Sequence, residues 1–121
     1  SCHPAPLFTD FSFRNNGLLP DPVIDDLGRA LITLDPNDNY KFKVPSLRNL
    51  TYSGLYMHDG RFRNLSQVLE HYEKEIIPSQ SLDPLLAEGI KLSLEEKNHL
   101  INFLKTLDDE NFVKDPRFKE P

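Results

Sequence analysis

The sequence is poor in several residue types. It has one cysteine, one methionine, five glycines and no tryptophan in 121 residues. A single thiol excludes an internal disulfide and leaves the redox compartment open. Cationic residues are in the minority: 14 Lys and Arg face 19 Asp and Glu, for a net charge of −5. No basic stripe exists to meet phosphates, which excludes nucleic acid as a partner. No apolar run approaches the roughly 20 residues needed to cross a bilayer, so no membrane span is expected. No leader peptide is legible. The chain starts abruptly at Ser1, as upstream targeting sequence removed by processing would leave it.

What is present suits one domain over residues 1–121. Hydrophobic residues make up 38% and charged residues 27%, a globular balance. Ten prolines against five glycines point to long, ordered connections between short helices. The clearest helix follows Ser93, an N-cap with Glu96 three residues on, which is the capping-box arrangement. Leu94, Ile101 and Leu104, with Leu100, Phe103 and Leu107, then follow helical spacing, and Lys105 suits the C-terminal end of the dipole. A second helix is expected from Asn64 to Pro78. Asn64 caps, Gln67 reaches back, and Leu65, Val68, Leu69, Tyr72 and Ile76 make one stripe. That stripe turns Tyr72 inward and leaves His71 on the rim.

A third helix is expected from Asp21-Pro22 through Val23, Ile24 and Leu27, and a short one from Leu82 to Glu88, stopped by Gly89. Between them, residues 35–62 carry little periodicity and many turn formers, and long loops of this kind tend to be functional. No strand pattern is long enough to build a sheet, so the expected class is all-α with long irregular loops. The charged, proline-broken tail from Asp108 to Pro121 is expected to drape over the surface or reach toward a neighbour.

Taken singly, the residues capable of chemistry read as structure. His99 lies on the polar side of the last helix. Met57 and Tyr56 can plug a core, and Asp59-Gly60 can be only a turn. Cys2-His3 has the spacing of the second half of a C-x-x-C-H haem-attachment motif, whose first cysteine would lie two residues before Ser1. Alone, that dipeptide decides nothing.

Together the pattern is more specific. "FKVPSLRNL", "YMHDGRF", "LSQVLEHY" and "LSLEEKNHLINFLKTL" occur in one order at tight spacing. This resembles the C-terminal haem domain of the bacterial dihaem cytochrome c peroxidase and MauG family. The family shows a proline-x-leucine-arginine-asparagine stretch, a Tyr-x-His-Asp-Gly loop, a helix and a closing Leu/Phe-rich helix. The resemblance runs from "SCH" to "FLKTLDD" and implies a cytochrome c-like helical domain.

Under the resemblance Cys2 is the second thioether cysteine of haem c and His3 the proximal iron ligand. With one cysteine the chain makes at most one thioether bond. In the peroxidase branch the sixth ligand is a methionine on the helix after the His-Asp-Gly loop. The matching position here is Tyr72, fourteen residues after His58, as in MauG. Met57 is the alternative, and His71 a lesser one, since it projects about 100° away from Tyr72 around a helix. Tyr72 also has a plain reading as a buried aromatic with its hydroxyl paired elsewhere.

Arg48 and Arg61 flank the loop and suit haem propionates or local salt bridges. His58 and Asp59 belong to the family signature and shape the loop facing the other domain. The carbonyls of Ser53 and Leu55 occupy the positions that hold a calcium ion between domains in the peroxidases. Leu55 stands where the family usually has proline.

The resemblance implies an electron-transfer haem domain of a periplasmic dihaem oxidoreductase that reduces hydrogen peroxide. The peroxide-reacting haem would sit in an N-terminal domain absent from this chain, and this fragment alone would be inactive. The implied partners are that domain, a small redox protein donor, and hydrogen peroxide at the other haem. The alternatives are a monohaem c-type electron-transfer module and a haem-free helical interaction domain.

Overall fold

A computed structural model describes residues 2–118. The closing helix α3, Leu94–Lys105, forms where the capping box puts it: Ser93 Oγ accepts from the Glu96 N–H at 3.2 Å, and Glu96 Oε2 accepts from the Ser93 N–H at 2.8 Å. Leu104 is its buried residue, whereas Leu94 and Phe103 are exposed.

The helix after Asn64 begins as expected. As α2, Leu65–Glu70, it is capped by Asn64 Oδ1, which accepts from the Gln67 N–H at 2.9 Å. Gln67 reaches back one residue further than expected, accepting from the Arg63 N–H at 2.8 Å. From His71 to Glu75 the hydrogen bonding becomes that of a π-helix, and Ile76 is extended. This i→i+5 pairing widens the turn, and such turns recur at functional sites.

The expected all-α class is corrected to a mixed one. Strand β1, Phe13–Arg14, pairs antiparallel with β2, Phe42–Lys43, in the register Phe13 to Lys43 and Arg14 to Phe42. Two-residue strands leave no alternation to read in a sequence; the pairing arises because distant segments meet.

The helix expected over 21–27 is absent. Asp21 caps a single turn, accepting from Val23 and Ile24 N–H at 2.7 and 3.2 Å, and Asp25 then takes a positive φ of 43°. The backbone beyond pairs elsewhere: Tyr40 N–H donates to the Leu27 carbonyl and Arg29 N–H to the Lys41 carbonyl, both at 2.9 Å. Tertiary pairing outweighs local propensity there. A four-residue helix α1, Ala30–Thr33, follows. The short helix expected at 82–88 is a 3-10 turn at Pro84–Leu86, capped by Asp83 and followed by Gly89 at φ 64°. The tail carries α4, Glu110–Lys114, and a 3-10 turn at Pro116–Phe118. Its last three residues and Ser1 lie outside the described residues.

The apolar core is thin. Among the described residues, Leu18, Ala30, Val44, Leu65, Leu69 and Leu104 are the buried hydrophobic side chains, and the most enclosed large side chain is His71.

Candidate haem-ligand site

The start of the chain is folded into a tight turn. Phe8 N–H donates to the Pro4 carbonyl at 2.8 Å and Asp10 N–H to the Cys2 carbonyl at 3.1 Å. Inside it, His3 Nδ1 lies 2.9 Å from the Phe8 carbonyl oxygen. A carbonyl only accepts, so Nδ1 carries the proton and, in the neutral ring, Nε2 keeps the lone pair. That is the tautomer a metal-ligating imidazole needs.

Three consecutive carbonyls of the turn are held by the "PSLRN" stretch. Arg48 donates through Nε and Nη2 to the Pro6 carbonyl at 3.0 and 2.7 Å. Ser46 Oγ donates to the Leu7 carbonyl at 2.6 Å, and Leu47 N–H to the Phe8 carbonyl at 3.3 Å. Thr9 Oγ1 adds a 2.6 Å bond to the Val44 carbonyl. Arg48, expected near a propionate, thus has two donors engaged at the turn and lies 5.7 Å from the Phe8 ring centre.

Asn16 touches two of the three residues considered for the opposite side, Met57 and His71. Its Nδ2 donates to Met57 Sδ at 3.4 Å, and its backbone carbonyl lies 3.0 Å from His71 Nε2. Burial raises the Tyr72 phenol above its ordinary value; the Asn16 amide opposes that shift, and Cys2 adds a smaller push upward.

His71 corrects the expectation of a rim position, for it is only 1% exposed. The π-type turn begins at His71, which is buried there, whereas Tyr72 beside it is half-buried. Burial lowers the His71 pKa, with the Asn16 carbonyl partly opposing.

The Tyr56–Phe62 loop closes on itself, with Tyr56 N–H donating to the Phe62 carbonyl at 2.9 Å. Met57 and Gly60 within it both take φ 71°. Arg61 Nε donates to Asp59 Oδ2 at 2.7 Å, so its guanidinium is locally paired. Burial would raise the Asp59 carboxyl, but Arg61 outweighs it and holds the group below the usual carboxylate range. His58 stacks flat on Phe42, with ring centres 3.6 Å apart and planes 9° from parallel. His99 is exposed on α3.

The Ser53 carbonyl accepts from Leu55 N–H at 2.8 Å, and both residues are exposed. Calcium takes six to eight oxygens, so these two carbonyls by themselves are not a calcium site. Among the described residues no group of three His, Cys, Asp or Glu side chains is placed to hold a metal. A groove of about 410 Å³ beside β1, bordered by Arg14 and Asp83, contains none of the candidate ligands.

No protein-family model matches the sequence. The methylamine utilization protein MauG of Methylophilus methylotrophus is 41% identical over 89% of this chain and 31% of its own length. The cytochrome-c peroxidase IdrP1 of Pseudomonas sp. (strain SCT) is 38% identical over 88% of this chain and 35% of its own. In structure, a MauG-like protein associated with microbial copper homeostasis superposes with a TM-score of 0.72 at 34% identity, covering 98% of this chain and 40% of that one. The chain belongs to the MauG and cytochrome-c peroxidase family. It spans about a third of the length of the curated relatives it matches.

The family's names point to haem c, and the donor set here fits it. A free thiol at Cys2, a neighbouring imidazole with Nε2 available and a half-buried phenol at Tyr72 suit a c-type haem iron. The thin core is consistent with a domain completed by a large apolar group. Sequence reasoning missed Asn16 and the Phe8 carbonyl. Only the fold shows what Asn16 touches. No helix of the described residues is long and apolar enough to cross a membrane.

Proposed function

We propose that this chain is the electron-transfer haem domain of a dihaem c-type oxidoreductase of the peroxidase and MauG type. His3 is the proximal ligand, Cys2 a thioether anchor and Tyr72 the sixth ligand. The observation that carries this reading is the bond from His3 Nδ1 to the Phe8 carbonyl, which readies Nε2 for a metal. A haem bound here would relay electrons between a donor and a peroxide-reacting haem in the rest of the parent.

This chain's residues set the terms of that relay. The clamped turn fixes the imidazole so that it is not free to rotate. Tyr72 offers an anionic, hard oxygen when deprotonated, which favours ferric iron, whereas the Met57 thioether would favour ferrous. A tyrosine ligand, with 41% and 40% identity to two MauG proteins, supports a MauG-like oxidase over an ordinary peroxidase. The parent is periplasmic on this reading, and the fragment alone lacks a complete active site. Calcium, held partly by the Ser53 and Leu55 carbonyls, would need further ligands from the parent's other domain.

The test is to produce the full-length parent with c-type maturation machinery and stain for haem after denaturation. The reading expects two covalent haems, with one lost when Cys2 and the motif's upstream cysteine are both replaced by alanine. An unchanged haem count in that double variant would overturn it. Tyr72→Phe is expected to abolish a tyrosinate-to-iron charge-transfer band and shift one haem's potential.

A further inference from the structure

We propose that Asn16 is the positioning residue that selects Tyr72 over Met57 as the iron's sixth ligand. This rests on the reading of Tyr72 given above. The amide's orientation is fixed, because Asn16 Oδ1 accepts from the Leu18 N–H at 3.4 Å and the NH2 group must therefore point the other way. A primary amide has two N–H donors. One goes to Met57 Sδ at 3.4 Å. One short residue thus engages both rivals of Tyr72, the thioether through its side chain and the imidazole through its carbonyl.

The Asn16 backbone is held rigidly enough for this task. On one side Asn15 is buried, with its Nδ2 donating to Ser79 and Ser81 hydroxyls at 3.0 and 2.9 Å. On the other, the Gly17 carbonyl accepts from the Ile77 N–H at 2.8 Å, and Gly17 N–H donates to Asn15 Oδ1 at 2.8 Å. The third competitor is removed by the main chain, since the Asn16 carbonyl engages His71 Nε2. A side-chain substitution at Asn16 leaves that contact in place, so the change should fall on the choice between tyrosine and methionine.

The experiment uses the full-length, haem-loaded parent and reads ligation from ferric optical and electron paramagnetic resonance spectra. Asn16→Leu removes both side-chain donors. Asn16→Asp is nearly isosteric, keeps an acceptor for Leu18 N–H, and guards against a variant that fails to fold. Both should lower the tyrosinate signature and raise a methionine-to-iron signature, changing their ratio on the order of tenfold. The new signature should disappear in Asn16→Leu combined with Met57→Leu. A full tyrosinate signature in both single variants would overturn the proposal, as would its loss with no methionine signature in its place. If Tyr72→Phe leaves the parent's spectrum unchanged, the Tyr72 reading itself fails, a result separate from either outcome at Asn16.

Discussion

Phe103 of the closing helix stands edge-on to Phe8 of the first turn, with ring centres 6.1 Å apart and planes at 64°. The contact ties the last long helix to the turn that holds His3. An edge-to-face pair contributes about 1 kcal/mol beyond the area it covers. Phe103→Ala should therefore destabilise the fold despite the ring's partial exposure, and urea unfolding should show a lower midpoint. Phe103→Leu should recover only part of the loss. Equal midpoints for wild type and Phe103→Ala would remove this contact from the account.

Arg48 should matter as a clamp on the turn. Its two donors meet one carbonyl, Pro6, in a geometry that suits a guanidinium fork rather than an ammonium. Arg48→Ala should lose about 1 kcal/mol, with Arg48→Lys restoring less than half. Amide hydrogen exchange at Phe8 and Asp10 should quicken in Arg48→Ala. Exchange unaltered at both amides would show that the turn holds without it.

Gly17 is where space is tightest. It sits at φ 71°, and a Cβ there would meet Ile76 Cγ2 at 2.5 Å and Leu82 Cδ1 at 3.1 Å. Gly17→Ala therefore combines backbone strain with a clash and should lose more than about 1 kcal/mol. Thermal unfolding gives the measurement, and a melting temperature within a degree or so of wild type would contradict it.

Acid should act through Asp83. Burial raises this carboxyl, but the Arg14 bond at 2.6 Å and the Leu85 N–H outweigh it, so its folded pKa lies below the ordinary 3.8. A depressed carboxylate pKa contributes stability that is fully present above the unfolded value and fades as pH falls through the folded one. Stability should therefore decline below about pH 4, and Asp83→Asn should flatten that decline while weakening the protein at neutral pH. Denaturant midpoints measured from about pH 6 to pH 2 decide the matter: parallel curves for the two proteins would clear Asp83 of the effect.

The sequence by itself determined those features whose physics is local. The capping box at Ser93 and Glu96, the Asn64 cap and the glycine stop at Gly89 each involve groups within a few residues, and each forms. The ordered motifs of the family are equally local to the chain. What only the tertiary structure decided involves groups far apart in sequence. The β1–β2 pairing consumes backbone that could otherwise have helped make the class all-α, and the link from Leu27 to Tyr40 ends a helix expected over 21–27. His71, which a regular helical repeat leaves at the rim, is buried against the distant Asn16 carbonyl. Asn16 meets Met57 and His71 across 41 and 55 residues, a convergence no local pattern encodes. Short-range hydrogen bonds choose their partners before the chain folds; the site's contacts exist only once distant segments have been packed together.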